Sequence, residues 1–179
     1  MLKHNIFRNH NKSFVVAICI FLLSFTVDAQ RYYFEQFSLA EGLPHSEVFD
    51  IIQSKDSKIW VATEGGVAIF NGHSFNVLTT EDGLLDNDIV RLLEDQEGRI
   101  WICSEKGDIN YFFKDSIYQV PQLMRKTNSL RIYDIVESKD GTLYFGTADD
   151  IVTYNDGIAR SIFEGKQMEK YGVSSMVIF

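Results

Sequence analysis

The side chains best able to do chemistry in this 179-residue chain are few and scattered. Beyond the first thirty residues the only histidines are His45 and His73. Two isolated imidazoles, with no cysteine or spaced carboxylate beside them, make a poor metal site. Solvated turn residues are the simpler reading. Carboxylates cluster at Asp86-Asn87-Asp88, Glu94-Asp95-Gln96-Glu97 and Asp149-Asp150. Calcium needs about six to eight oxygens around a flexible loop, and Asp86 with Asp88 offers two. Cys103 stands beside Trp101 in an apolar run, where a thiol behaves as a small hydrophobe. No nucleophile elbow, phosphate loop or dinucleotide fingerprint occurs. A nucleophile, histidine and acid assembled from distant positions stays open. The expectation is no catalytic, cofactor or metal residues, and a ligand site whose residues the sequence does not identify.

What positions these residues is a repeat of about 41 residues. KIWVATEGGVAIF (Lys58–Phe70) returns as RIWICSEKGDINYF (Arg99–Phe112) and again as TLYFGTADDIVTY (Thr142–Tyr154). Trp60, Trp101 and Tyr144 hold one position; Phe70, Tyr111 and Tyr154, each ten residues later, are expected to hold another. EGLPHSEVFDII (Glu41–Ile52) matches DGLLDNDIVRLL (Asp82–Leu93) at the same offset. Periods of roughly 20–50 residues signify stacked or circular arrays.

Each period reads as four short β-branched runs joined by turns. In the first unit these are Val48–Gln53, Lys58–Thr63, Val67–Phe70 and Ser74–Thr79, with Glu64-Gly65-Gly66 and Asn71-Gly72 at hairpin positions. The second unit gives Ile89–Glu94, Arg99–Ser104, Asp108–Phe112 and Ser116–Val120. The third gives Ile132–Glu137, Thr142–Gly146, Ile151–Tyr154 and Ile158–Phe163. No helical periodicity competes. Four strands in a period of this length select a β-propeller over a sandwich. The mid-strand Trp60, Trp101 and Tyr144 then fill the wedges between blades, a packing role before any ligand-stacking one.

Residues 1–29 read as a secretory signal peptide: Lys3, Arg8 and Lys12, then the apolar Phe14–Phe25, then small residues before Gln30. The apolar run is short for a membrane span, although a retained anchor is the alternative. Lipid attachment at Cys19 is disfavoured by its place inside the run and by bulky Ile18. Without this segment Lys+Arg falls from 17 to 14 and Asp+Glu from 25 to 24, a net of about −10. That argues against nucleic acid or anionic membrane as partner. Only Cys103 remains, so no intrachain disulfide forms.

The two ends are informative. Phe34-Glu35-Gln36-Phe37 aligns with the fourth strand of a unit and is expected to serve as a ring-closing outer strand. Gly172–Phe179 aligns with the first strand of a fourth unit. Three blades and a strand do not close a ring, since propellers have about four blades or more. The fold expected is therefore all-β: a partial β-propeller of three four-stranded blades plus the first strand of a fourth, preceded by a signal peptide. The division is 1–29 signal peptide, 30–40 outer strand, 41–80, 81–122 and 123–165 the three blades, and 166–179 the start of the fourth. An N-terminal portion of a longer protein is the expectation; a small stand-alone sheet protein or an oligomeric ring is the alternative.

EGLPHSEVFDIIQ…KIWVATEGGVAIFNGHSF followed by EDGLLDNDIVRLLEDQEGRIWICSEKG resembles the two-component regulator propeller repeat. On that resemblance Gly42 and Gly83 take the inter-blade glycine, Gly98 and Gly141 the hairpin glycine, Trp60 and Trp101 the blade tryptophan, and Gly66 and Gly107 the later glycine. This chain departs at Ser57, where the hairpin glycine is expected, at Ser104 in place of the threonine kept by Thr63 and Thr147, at Tyr144 in place of tryptophan, and at Asn128-Ser129.

The resemblance implies an extracytoplasmic sensor propeller. A β-sandwich, a membrane helix and a cytoplasmic output, usually a histidine kinase, would follow it. It also implies a periplasmic location, a parent anchored in the inner membrane and dimeric, and a small-molecule or oligosaccharide ligand. A binding place on that reading is the loop face formed by Gly42–Glu47, Gly83–Asp88 and their equivalents, since loops on rigid scaffolds carry function. Other readings are an exported propeller enzyme acting on polysaccharide, or a lectin. The enzyme predicts catalytic residues that break the repeat, and none is evident by type.

Overall fold

The computed structural model describes Phe14 and residues 34–127, 130–163 and 175–177. The expected signal peptide (apart from Phe14), residues 30–33, Asn128-Ser129 and most of the expected fourth-blade start lie outside the described residues. The chain divides into two compact units, Met1–Gln36 and Phe37–Phe179. In the first, Phe34–Gln36 are exposed and belong to no helix or strand.

The second unit is mostly β. Blade 1 holds β1 (Val48–Gln53), β2 (Ile59–Thr63), β3 (Gly66–Phe70) and β4 (Phe75–Leu78). Blade 2 holds β5 (Ile89–Glu94), β6 (Ile100–Ser104), β7 (Ile109–Phe113) and β8 (Ser116–Gln119). Blade 3 holds β9 (Asp134–Glu137), β10 (Leu143–Gly146), β11 (Ile151–Asn155) and β12 (Ile158–Ser161). Each is an antiparallel meander in chain order. First strands are neighbours, β1 against β5 and β5 against β9, so they form the inner edge of an arc of blades. The fold expected from sequence, a partial β-propeller, is the one observed.

Blades pack face to face through two cores. Trp60, Ala62, Val67 and Ile69 of blade 1 meet Ile89, Leu92, Ile100 and Ile102 of blade 2. Trp101, Cys103 and Ile109 of blade 2 meet Ile135, Leu143, Phe145 and Val152 of blade 3. Along β6 the period-two alternation sends Ile100 and Ile102 one way and Trp101 and Cys103 the other. Both faces of that strand are buried, hence its unbroken apolar run. Each such side chain contributes about 1.5–3 kcal/mol. Blade 1 shows what the outermost face lacks: Val48 is 48% exposed and Ile51 62%, where their blade 2 equivalents Ile89 and Leu92 are 1% and 4%.

One alignment is corrected. In the ladders Ile59 pairs with Phe70, Ile100 with Phe112 and Leu143 with Tyr154. The shared position is thus Phe70, Phe112 and Tyr154, with Tyr111 one residue off. Blade 2 carries an extra residue in its β6–β7 turn, Glu105-Lys106-Gly107, and a one-residue slip moves a side chain to the opposite face. Tyr111 accordingly lies on the face of its own Trp101, at 5.2 Å between ring centroids.

A short helix, α1 (Pro121–Lys126), follows β8 and has no counterpart in the four-strand sequence pattern. Pro121 sits in its first turn, where a missing N–H costs nothing, and Leu123 is buried in the second core. Six residues are too few to display a 3.6-residue period.

The connections into blades 1 and 2 are copies. Ser38 caps a 3-10 turn at Leu39–Glu41, its N–H donating to Glu41 Oε2 at 2.7 Å, and Gly42 ends it at φ 106°. Thr79 caps Thr80–Asp82 likewise, donating to Asp82 Oδ2 at 2.9 Å, and Gly83 ends it at φ 112°. Glycine is required there because L side chains avoid that region. Phe37, which aligns with Leu78 at the end of β4, packs against Phe70 and Phe75 with centroids 4.9 and 5.5 Å away.

Candidate functional site

The meander gives each blade two ends. Inter-blade connections and second turns (β2–β3, β6–β7, β10–β11) share the loop end; β1–β2, β3–β4 and equivalents share the turn end. His45 falls at the loop end and exposed His73 at the turn end, so the two histidines are not brought together. His45 Nδ1 accepts the Glu47 N–H at 3.2 Å and lies 3.4 Å from Glu64 Oε2.

At the turn end the acidic run of blade 2 is structural. Asp95 is fully buried and accepts Arg99 N–H at 2.8 Å, Arg99 Nε–H at 2.5 Å and Trp101 Nε1–H at 2.8 Å. The Arg99 guanidinium lies 5.4 Å from the Trp101 ring centre and 5.7 Å from that of Tyr111. Burial works against its charge, yet Asp95 outweighs this and raises its pKa. Ser54 and Ser138 hold the Asp95 position in the other blades. Ser54 Oγ accepts Trp60 Nε1–H at 3.2 Å and donates to Asp56; Ser138 donates to Asp140. These serine-aspartate turns shape hairpins. A groove of about 350 Å³ opens here between blades 1 and 2, with Trp60 and Phe112 among its lining. Its lining includes Lys58, already committed to Asp56 at 2.7 Å.

The loop end is different. Asp86 lies 3.0 Å from Lys106. Burial opposes its ionisation, but the Lys106 ammonium and the Asn87 and Asp88 N–H groups prevail and lower its pKa. Arg131, leading into blade 3, pairs with Glu105 of blade 2 at 2.8 Å. Asp88 Oδ1, Asn110 Nδ2 and Arg131 Nε are buried atoms with no hydrogen-bond partner among the described residues, and Asp86 Oδ2 has only its ion pair. All four belong to the inter-blade connections or to β7 next to the second turn. Asn110 is 2% exposed, and its Oδ1 accepts the Leu85 N–H at 3.3 Å. Its register equivalents are Ala68 and Val152, both fully buried. A polar residue at a position that is apolar in both other blades breaks the repeat, and the extra β6–β7 turn residue masks this when the blades are aligned by spacing alone. Buried polar atoms are normally paired, so this group stands out from the rest of the arc.

Asp149 and Asp150 also lie at the loop end, where Thr147 Oγ1 contacts Asp149 and Asp150 carries the Ile151 N–H at 2.7 Å. Among the described residues no three His, Cys, Asp or Glu side chains converge as a metal site would require. Cys103 is fully buried, as its sequence context implies, and burial pushes its thiol up to about 12. No helix among the described residues is long and apolar enough to cross a membrane.

Fold and loop-end geometry define the class: an arc of a β-propeller whose unmatched buried polar groups lie at the loop end, in the inter-blade connections and at the start of β7. The two component regulator propeller model matches residues 42–65, 83–106 and 127–149, one match in each blade. It is 31% identical over 70 residues to histidine kinase P4 of Formosa agariphila, a match that covers 39% of this chain and 5% of that protein. The structure resembles the extracellular domain of a hybrid two component system from B. thetaiotaomicron, with TM-score 0.56 and 19% identity, covering 76% of this chain and 19% of that one. It also resembles virginiamycin B lyase from Staphylococcus aureus, with TM-score 0.51 and 17% identity over 70% of this chain and 42% of that one. At such identities these two show a shared fold. The chain thus spans a small part of the length of its relatives.

Proposed function

We propose that this chain is the ligand-sensing propeller segment of an exported two-component receptor. The unmatched polar atoms gathered at the loop end carry the binding part of that reading: Asp88 Oδ1, Asn110 Nδ2 and Arg131 Nε offer both acceptors and donors to a polar ligand. Such groups are worth most when a ligand completes them. The repeat family supports a receptor whose output, a histidine kinase or hybrid system, lies elsewhere in a longer polypeptide. A periplasmic location, an export signal in residues 1–29, further blades against the exposed Val48 and Ile51 face, and a dimeric receptor belong to the same reading. So does a small-molecule or oligosaccharide ligand, with no chemistry performed by this segment. Ligand would act by favouring one receptor arrangement over another.

The test is thermal unfolding of the purified chain against a panel of neutral and acidic oligosaccharides. A saturable rise in Tm that disappears in Asn110→Ala and Asp88→Ala, with each variant still folded by circular dichroism, is the expected result. Binding that survives both substitutions overturns the loop-end assignment, and turnover of any panel member overturns the non-catalytic reading.

A further inference from the structure

The turn end carries a second pattern that recurs between blades. The Lys55 N–H in the β1–β2 turn donates to Glu94 Oε2 of blade 2 at 2.7 Å. Its Nζ donates to the Asp95 and Gln96 carbonyls at 2.7 and 3.2 Å. One repeat on, the Gln96 N–H donates to Glu137 Oε2 of blade 3 at 2.8 Å, and Gln96 Nε2 to the Ser138 carbonyl at 2.8 Å. Lys55 and Gln96 hold one repeat position, five residues before the blade tryptophan; Glu94 and Glu137 hold another, at the end of the first strand. Two different side chains, an ammonium and an amide, reach the same carbonyl position, Asp95 in blade 2 and Ser138 in blade 3. The geometry is therefore a property of the repeat position and not of one residue type.

The pattern is selective. Lys139 occupies the same position in blade 3, and its N–H has no acceptor among the described residues. In the sequence repeat the position of Glu94 and Glu137 is next held by Ile178, a residue type without a side-chain oxygen. At the matching place in blade 1 stands Gln53, an uncharged amide. A different contact, at the inner edge, continues past blade 3. Asp50 Oδ2 accepts the Leu92 N–H at 2.9 Å, Arg91 Nε donates to the Tyr133 carbonyl at 2.7 Å, and Asp134 Oδ2 accepts the Met176 N–H at 2.5 Å. Among the described residues the inner contact thus serves three junctions, and the turn-end latch two.

We infer that the Lys55–Glu94 and Gln96–Glu137 latches bind blades 1, 2 and 3 into one cooperative body. The buried cores and the inner-edge contacts already join neighbouring blades. A carboxylate holding a backbone N–H from the neighbouring blade adds a bond at the turn end, where the groove between blades 1 and 2 opens. Charge-assisted bonds of this kind are roughly twice as strong as neutral ones.

Residue-resolved amide exchange on the full chain tests this. The Lys55 and Gln96 amides are expected to exchange at least about ten-fold more slowly than that of Lys139, the same turn position with no carboxylate partner among the described residues. Glu94→Ala should release Lys55 while leaving Gln96 protected, and Glu94→Gln, which keeps an acceptor, should restore part of the protection. In the wild type the core amides of β2, β6 and β10 should open at one common rate; in the Glu94→Ala/Glu137→Ala variant they should separate. Lys55 and Gln96 exchanging as fast as Lys139 overturns the inference without any variant. So does a double variant whose three blades still open together.

Discussion

The Phe112 ring lies 5.2 Å from the indole of Trp60, centroid to centroid, across the junction of blades 1 and 2. One repeat on, Tyr154 stands 5.6 Å from Trp101 across the next junction. Each blade's tryptophan is thus met by the β3-position aromatic of the following blade. Aromatic pairs at such distances contribute about 0.5–1.5 kcal/mol beyond the area they bury.

A double-mutant cycle on Trp60→Ala and Phe112→Ala in urea unfolding should show coupling of about 1 kcal/mol. Each single substitution should cost about 3–5 kcal/mol. The control is Trp60→Ala with Tyr111→Ala, which should be additive because Tyr111 faces the other core. Coupling to Tyr111 in place of Phe112 would restore the register that equal spacing suggests.

The two tryptophans should respond differently to loss of the indole N–H alone. Trp101 donates to the buried Asp95 carboxylate at 2.8 Å, whereas Trp60 donates to the Ser54 hydroxyl at 3.2 Å. Trp101→Phe leaves a buried charge one donor short, at a cost of about 1–3 kcal/mol. Trp60→Phe should cost less by about 1 kcal/mol, because a hydroxyl is readily satisfied otherwise. Urea midpoints of the two variants check this, and equal losses would count against Asp95 as the source.

Much of this architecture was legible in the chain because the repeat multiplies weak local signals. Turn residues, β-branched runs and the Trp60/Trp101 spacing agree at every level, as they do in sequences that specify one fold. The residual errors have physical causes. An added turn residue at Glu105-Lys106-Gly107 displaced Tyr111, since spacing in sequence does not see a turn that lengthens. The helix over Pro121–Lys126 is fixed by the burial of Leu123 and not by its own periodicity. The loop-end group stayed hidden because Asn110 declares itself only when compared with Ala68 and Val152 in the correct register. The latches at Glu94 and Glu137 join residues about forty positions apart, a distance across which residue type alone gives no pairing.

Ser57 was legible as a departure, and its consequence can be measured. It holds φ 66° in a turn where Gly98 and Gly141 take φ 79° and 83°. Its N–H donates to the Ser54 carbonyl at 2.8 Å, as Gly98 does to Asp95 and Gly141 to Ser138. A non-glycine residue there is strained by about 1–2 kcal/mol, partly offset by the freedom glycine adds to the unfolded chain. Ser57→Gly should therefore raise stability by about 0.5–1 kcal/mol, and Gly98→Ser should lower it by a similar amount. A Ser57→Gly variant with a lower Tm than wild type would show that the turn is not strained.

The last prediction concerns alkaline pH. Cys103 is buried between Trp101 and the face of blade 3, and desolvation raises its thiol pKa from 9.0 to about 12, with Arg91 and Asp50 acting in opposite directions. Below about pH 9 both folded and unfolded chains carry the neutral thiol, so its burial contributes fully. Between about 9 and 12 the unfolded chain loses a proton that the native state keeps, and stability falls by about 1.4 kcal/mol per pH unit. Cys103→Ala installs the residue that blade 1 carries at Ala62 and removes that titration. At pH 8 the variant should be the less stable protein, because a small cavity replaces the sulfur. At pH 10.5 the wild type's advantage should shrink by about 2 kcal/mol, and the ordering can reverse. Other groups titrate in the same range, but they do so in both proteins and cancel in the difference. Urea unfolding of the pair at the two pH values makes the measurement, and a gap independent of pH would mean that the thiol is reached by solvent in the native arc.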